Sequence, residues 1–178
     1  EFGSRNLNTP SDFDIRPTTD KVRQGIFNLL LARVDIENMN VMDLFCGTGA
    51  LGLEALSRGA AYGVFVDYAR KSLECTQSNI DLLGVKDRCQ IIKGDGVRAH
   101  KLPYAKPVID LVLMDPPFGK RQEEEILRNL GQCFWLDSFA RVILETDRDD
   151  IDIPDKFEKI VFKNYGRSRI YLLQLTGQ

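Results

Sequence analysis

From Val41 onward, short apolar runs alternate with longer stretches in which apolar residues recur every three or four positions. The runs at 41–45, 62–67, 89–93, 111–115 and 141–146 read as buried strands. The amphipathic stretches at 50–58, 70–83 and 122–134 read as helices, with a shorter helix after Gly96. Helices long enough to cross over between strands predict a parallel sheet covered on both faces. Two further runs, 157–163 and 168–175, are separated only by Asn164, Tyr165, Gly166 and Arg167, too few residues for a crossover, so they predict an antiparallel hairpin. The pattern therefore gives an α/β fold with about seven strands, mostly parallel, one of them reversed.

Before Val41 the pattern differs. Arg5 to Ile15 is polar, contains Pro10 and reads as an extended lead-in. Pro17, Thr18 and Thr19 then signal a helix start, and Val22, Ile26, Leu29 and Leu30 share one helical face. Residues 5–178 are expected to form one domain, with 5–40 as lead-in and helix. Glu1-Phe2-Gly3-Ser4 resembles a cloning remnant, and with no initiator methionine the native N-terminus is expected to be missing.

With 178 residues, 43% of them hydrophobic, the chain suffices for one well-buried core. It has no apolar run long enough for a membrane span and no secretory pattern at its start, which predicts a soluble cytoplasmic protein. Cysteines 46, 75, 89 and 133 form no close pair, and His100 is the sole histidine. That spacing suggests buried free thiols, a surface histidine, and neither a zinc site nor a disulfide framework. A net charge of −2 offers no general attraction to phosphate. Nucleic acid would need a local patch drawn from Lys120 and Arg121, from Arg16, Lys21 and Arg23, or from Lys163, Arg167 and Arg169. The acidic stretch Asp147 to Asp155 reads as a solvated loop.

Two segments carry the chemistry. Gly47-Thr48-Gly49-Ala50-Leu51-Gly52 follows a predicted strand and opens a predicted helix, and Asp67 ends the next strand about 20 residues later. The glycines allow a tight turn and close approach to a ligand, and Asp67 can accept hydrogen bonds from two ribose hydroxyls. By itself this suits a nicotinamide dinucleotide. Asp43, at the carboxyl end of the first strand, would oppose a pyrophosphate and favour the ammonium of S-adenosylmethionine. Asp95 after the third strand can accept from an adenine amino group.

The second segment, Asp115-Pro116-Pro117-Phe118, is delivered to the same edge by the apolar strand ending at Met114. Its prolines remove two donors and stiffen the turn. Asp115 and the Pro116 carbonyl can accept both hydrogens of a planar amine, turning its lone pair towards an electrophilic methyl group. Phe118 can stack on the base. The two segments together predict S-adenosylmethionine-dependent methylation of an exocyclic nitrogen, with catalysis by positioning.

These residues resemble the RsmD family of 16S ribosomal RNA guanine-N2 methyltransferases. The likeness runs through Arg16-Pro17-Thr18-Thr19-Asp20-Lys21-Val22-Arg23 with Phe27-Asn28, through Asp43 to Gly59, and through Asp115-Pro116-Pro117-Phe118. It implies a seven-stranded Rossmann-like methyltransferase fold with S-adenosyl-L-methionine as donor. The implied acceptor is a guanosine of 16S ribosomal RNA within the small subunit or an assembly intermediate. The cofactor residues implied are Asp43, Phe45, Gly47, Gly49, Asp67 and Asp95, with Thr18 and Phe27 near the methionine end. The family's usual basic segment before Arg5 is absent, and Tyr68-Ala69 follows Asp67 where a more charged pair is common. The competing readings are an amino methyltransferase acting on DNA adenine or another RNA, a dinucleotide-dependent oxidoreductase, and a non-catalytic adaptor on the same fold.

Overall fold

The computed structural model describes Leu7, residues 20–104 and residues 107–177. The expected helix start at Pro17 to Thr19 and nearly all of the lead-in lie outside these residues. Helix α1 spans Asp20–Leu31 and buries Val22, Ile26, Leu29 and Leu30, as their spacing predicts, together with Gly25 and Phe27. Next come β1 (Asn40–Leu44), α2 (Ala50–Ser57), β2 (Tyr62–Asp67), α3 (Arg70–Leu83) and β3 (Cys89–Lys93). Then follow β4 (Ile109–Met114), α4 (Glu123–Leu130), β5 (Leu136–Thr146), β6 (Phe157–Tyr165) and β7 (Ser168–Leu175). Single 3-10 turns occupy Lys86–Arg88 and Gly96–Lys101, the second being the short helix expected after Gly96.

The seven strands form one sheet in the order β3-β2-β1-β4-β5-β7-β6. Strands β1 to β5 pair in parallel, and β7 runs antiparallel to both β5 and β6, so β7 is the reversed strand. Alternation along each strand sorts the core into two halves. Val41, Leu111, Leu113, Ile143 and Ile170 pack with α1, α2 and α3. Met42, Leu44, Val112, Met114 and Leu144 pack with α4 and the turn after Gly96. This arrangement brings the carboxyl ends of β1 to β5, the tip of the β6–β7 hairpin and the start of β7 to one edge.

Helix α1 is tied to that edge through Gly25. The Tyr165 hydroxyl meets the Gly25 carbonyl at 3.3 Å. A Cβ on Gly25 would stand 2.6 Å from the Tyr165 ring. The absence of a side chain in mid-helix thus lets the hairpin tip lie against α1.

Two stretches depart from the sequence reading. Strand β5 begins at Leu136 rather than near 141, because Leu136 pairs with Ile109 ahead of a register shift in the ladder. The exposed Ser138 and Phe139 in between hide that extension from a search for apolar runs. Helix α4 is correspondingly shorter, ending at Leu130, after which the Lys156 ammonium caps the Gly131 carbonyl at 2.7 Å.

The acidic stretch 147–155 is also not wholly solvated. Arg148, its side chain 12% exposed, donates to Glu123 at 3.0 Å, to Glu124 at 2.8 Å and to Asp150 at 2.9 Å. Glu123 is itself buried and accepts from the Thr146 hydroxyl at 2.7 Å. This network binds the segment after β5 to the first turn of α4, where carboxylates also suit the helix dipole. Removing the guanidinium would leave Glu123 buried without its cation. Arg148→Ala is therefore expected to lower stability by about 3 kcal/mol in urea unfolding, and a loss below about 1 kcal/mol would show that the network is no firmer than a surface pair.

Candidate active site at the carboxyl edge of the sheet

The glycine-rich turn is built by close packing from beneath. Gly52, in the first turn of α2, leaves no room for a side chain, since a Cβ there would stand 2.5 Å from the Phe65 ring and 3.0 Å from the Asp43 Cβ. Its N–H donates to Asp43 Oδ2 at 2.8 Å. Above this contact the chain turns through positive φ at Phe45 (70°), Gly47 (55°) and Gly49 (78°). For Phe45 that conformation is strained. Hydrogen bonds of 3.0 Å from the Phe45 and Cys46 N–H groups to the Val66 carbonyl hold it in place.

Helix α3 braces the same turn with groups that the sequence reading missed. The Thr76 hydroxyl donates to the Gly47 carbonyl at 3.0 Å, and the Asn79 amide donates to the Thr48 carbonyl at 2.9 Å. Their signal was present in the chain. Ser72, Thr76 and Asn79 are polar residues on the helix face that also buries Ile80 and Leu83.

A cavity of about 1340 Å³ opens along this edge. Over β1, β2 and β3 it is lined by Phe45, Gly47, Asp67 and Asp95. Asp67 accepts from the Gly47 N–H at 3.0 Å and from the Ala69 N–H at 2.8 Å, which fixes both of its oxygens at the cavity wall. Asp95 caps the following turn by accepting from the Val97 N–H at 3.0 Å. Over β4 and β5 the lining changes to Asp115, Pro116, Pro117, Phe118 and Glu145, and the hairpin tip Asn164 to Ser168 closes the far end. Asp115 is half-buried, Pro116 buried, and Phe118 exposed at 40%.

Not every expected residue reaches this cavity. Thr18 lies outside the described residues. Phe27 is fully buried, with the Arg58 guanidinium 5.0 Å from its ring centroid, and packs in the core instead of lining the cavity. Gly49 lies against Thr76 at the start of α2. Asp43 is 2% exposed beneath the turn, so its carboxyl supports α2 and does not meet a ligand at the wall. Burial pushes the Asp43 carboxyl up to about 8, against the opposing Gly52 N–H and with the nearby Asp115 and Asp67 adding to the rise. A carboxyl that holds its proton near neutrality is a weak argument against pyrophosphate, contrary to the expectation from sequence. The carboxylates that face the cavity are those of Asp67, Asp95, Asp115 and Glu145.

Cationic groups lie at the cavity as well: Lys21 from α1, Arg98 beside Asp95, Lys120 after the Asp115 turn, and Arg167 at the hairpin tip. Of the other expected cations, Arg23 pairs with Asp20 and Arg121 with Asp150. Arg169 donates to the Gly166 and Arg167 carbonyls, Lys163 is exposed on β6, and Arg16 lies outside the described residues. His100 is half-buried with its Nδ1 shielded from solvent, so it is not the surface histidine its isolation suggested. All four cysteines are free. Burial raises the Cys46 thiol well above its usual range and the Cys89 and Cys133 thiols to about 12, which leaves them protonated and poor nucleophiles near neutral pH. Among the described residues there is no grouping suited to hold a metal ion, and no helix is long and apolar enough to cross a membrane.

Residues 1–174 match the family model described as Conserved hypothetical protein 95. The chain is 32% identical over 147 residues to ribosomal RNA small subunit methyltransferase D of Escherichia coli, covering 83% of this chain and 72% of that one. It is 29% identical over 177 residues to YlbH of Bacillus subtilis, covering 97% and 95% respectively. Among solved structures, Escherichia coli yhhF superposes with a TM-score of 0.83 at 28% identity, over 98% of this chain and 93% of that one.

The buried Asp43 carboxyl has a consequence for stability. The folded chain keeps its proton up to about pH 8, whereas the usual value is 3.8. Between these values the folded state binds more protons than the unfolded state, so stability falls as pH rises across that window, by on the order of a few kcal/mol. Asp43→Asn preserves the size and an acceptor for Gly52 but removes the titration. Denaturant unfolding is expected to show the variant gaining on the wild type between pH 5 and pH 8, and parallel profiles would contradict the assignment.

Proposed function

The chain belongs to the Conserved hypothetical protein 95 family, with ribosomal RNA small subunit methyltransferase D among its relatives, and from that premise we propose that it methylates the N2 amino group of a guanosine in small-subunit ribosomal RNA. S-adenosyl-L-methionine is the proposed donor. The observation that carries this reading is the meeting, in one cavity, of the Asp67 and Asp95 carboxylates with the Asp115-Pro116-Pro117-Phe118 turn.

The donor half suits an adenosyl group. Asp67 projects two fixed oxygens for ribose hydroxyls, Asp95 offers an acceptor to the adenine amino group, and the Phe45 ring lies against Gly96 beside them. Gly47 has nothing within 4 Å where a Cβ would point, which leaves its backbone open to a ligand. When bound, S-adenosylmethionine supplies an electrophilic methyl group, its carbon–sulfur bond breaking as the carbon–nitrogen bond forms and a neutral thioether departing.

The chain's own part is positioning. Asp115 and the Pro116 carbonyl accept the two hydrogens of the amine and aim its lone pair at the methyl group. Phe118 covers the base and excludes water. After transfer the nitrogen is cationic and acidic, and its surplus proton leaves to Asp115 or to water. Lys21, Lys120 and Arg167 answer the flanking phosphates, so that a chain of net negative charge still receives RNA at this mouth. A paired guanosine would have to be flipped out to enter. The proposed setting is the cytoplasm, with the small ribosomal subunit or an assembly intermediate as partner.

The test is methyl transfer to small subunits, naked ribosomal RNA and duplex DNA, paired with calorimetric titration of S-adenosylhomocysteine and NAD. Asp115→Ala is expected to slow transfer to ribosomal RNA by about a hundredfold or more while retaining S-adenosylhomocysteine binding. Unimpaired transfer by the variant would remove Asp115 from the mechanism. Activity confined to DNA would remove the ribosomal assignment, and binding of NAD alone would remove methyl transfer.

A further inference from the structure

The turn at Asp115 recognises a planar amine without saying which base carries it, because adenine, cytosine and guanine all present one. A second acidic group lies in the acceptor half of the cavity. Glu145 is 3% exposed near the end of β5, at a face position where its neighbours Ile143 and Ile170 are apolar. The Ser168 hydroxyl, at the start of β7, donates to Glu145 Oε1 at 2.7 Å. Both residues line the cavity. A carboxylate at a core position is unfavourable for folding unless its desolvation is offset. The sheet gives no reason for it there.

Position along the edge assigns its partner. The strand order sets Asp95 after β3, Asp67 at the end of β2 and the glycine turn after β1, then Asp115 after β4 and Glu145 on β5. Met114 pairs with Leu144, so Asp115 and Glu145 each lie one residue beyond that registered pair on adjacent parallel strands. Glu145 therefore sits on the side of Asp115 away from the donor half, beside the place where the base would lie. We propose that Glu145 selects guanine by accepting its N1–H while Asp115 and the Pro116 carbonyl hold the N2 amino group. This rests on the guanine-N2 reading above.

Guanine presents N1–H and N2–H2 as adjacent donors on one edge. Adenine N1 and cytosine N3 are acceptors at the corresponding place and would face a carboxylate lone pair to lone pair. The Ser168 hydroxyl occupies one acceptor site of a group that has about four, which fixes its orientation and leaves capacity for the base. Sites built around a substrate N–H reject analogues lacking it far more strongly than apolar pockets reject a change in size.

2-Aminopurine keeps the reactive amine but carries an acceptor at N1, which isolates this contact. Small subunits are reconstituted with ribosomal RNA bearing either guanosine or 2-aminopurine at the mapped acceptor position. Wild-type protein is expected to prefer guanosine by at least about a hundredfold in kcat/KM. Glu145→Gln, whose amide can donate to N1, is expected to bring that ratio below about tenfold while S-adenosylhomocysteine affinity stays unchanged. Equal use of the two bases by wild type overturns the proposal and needs no variant. So does a wild-type ratio retained in Glu145→Gln, or a loss of S-adenosylhomocysteine binding in that variant, which would put Glu145 in the donor half. Absence of wild-type transfer to any guanosine is a different failure, because it overturns the methylation reading itself.

Discussion

The approach of α2 to β1 at Gly52 is the constraint on which the site depends. With the Asp43 side chain and the Phe65 ring filling the space a Cβ would need, the helix can start directly above the strand. The Gly52 N–H is then satisfied by the buried Asp43 carboxyl. The turn between them is left short and passes through three positive φ values, one of them at a phenylalanine. Such strain persists when the surroundings over-determine it. Here α3 supplies Thr76 and Asn79, and β2 supplies the Val66 carbonyl. The result is a rigid wall on which Asp67 and the open face of Gly47 have fixed positions.

The sheet order then divides the cavity by chemistry. Strands β3, β2 and β1 bring groups suited to an adenosyl donor, whereas β4, β5 and the hairpin tip bring groups suited to a base. Asp115 stands where the halves join, so one carboxylate can serve both the amine and the incoming methyl group. The reversed strand β7 completes this layout by starting at the same edge, so that Ser168 reaches Glu145 and the hairpin tip returns over α1. The Arg148 network fixes the start of α4 and hence the far end of the Asp115 turn.

Much of this was legible in the chain. The alternation of apolar runs with amphipathic stretches gave the parallel sheet, and the four-residue spacer gave the hairpin, because both are direct consequences of how strands and crossovers use residues. Asp67, Asp95 and Asp115 were legible because strand ends in an open α/β sheet converge on one edge. What escaped detection depends on three-dimensional packing. Asp43 has the same motif position whether it faces solvent or lies under a helix, and only the fit at Gly52 decides that. Phe27 follows the helical period of a core residue and proved to be one. Glu145 and Ser168 come from distant segments, and nothing in either local pattern pairs them. The acidic run after β5 looked solvated because its single arginine gave no sign of meeting three carboxylates.

The most direct measurement of the central claim is the identity of the methylated nucleoside. Small subunits lacking the modification would be incubated with the protein and isotopically labelled S-adenosylmethionine, and their ribosomal RNA digested to nucleosides and separated. The account predicts label in N2-methylguanosine at one position. Label in N6-methyladenosine, or none in any ribosomal nucleoside, would contradict it.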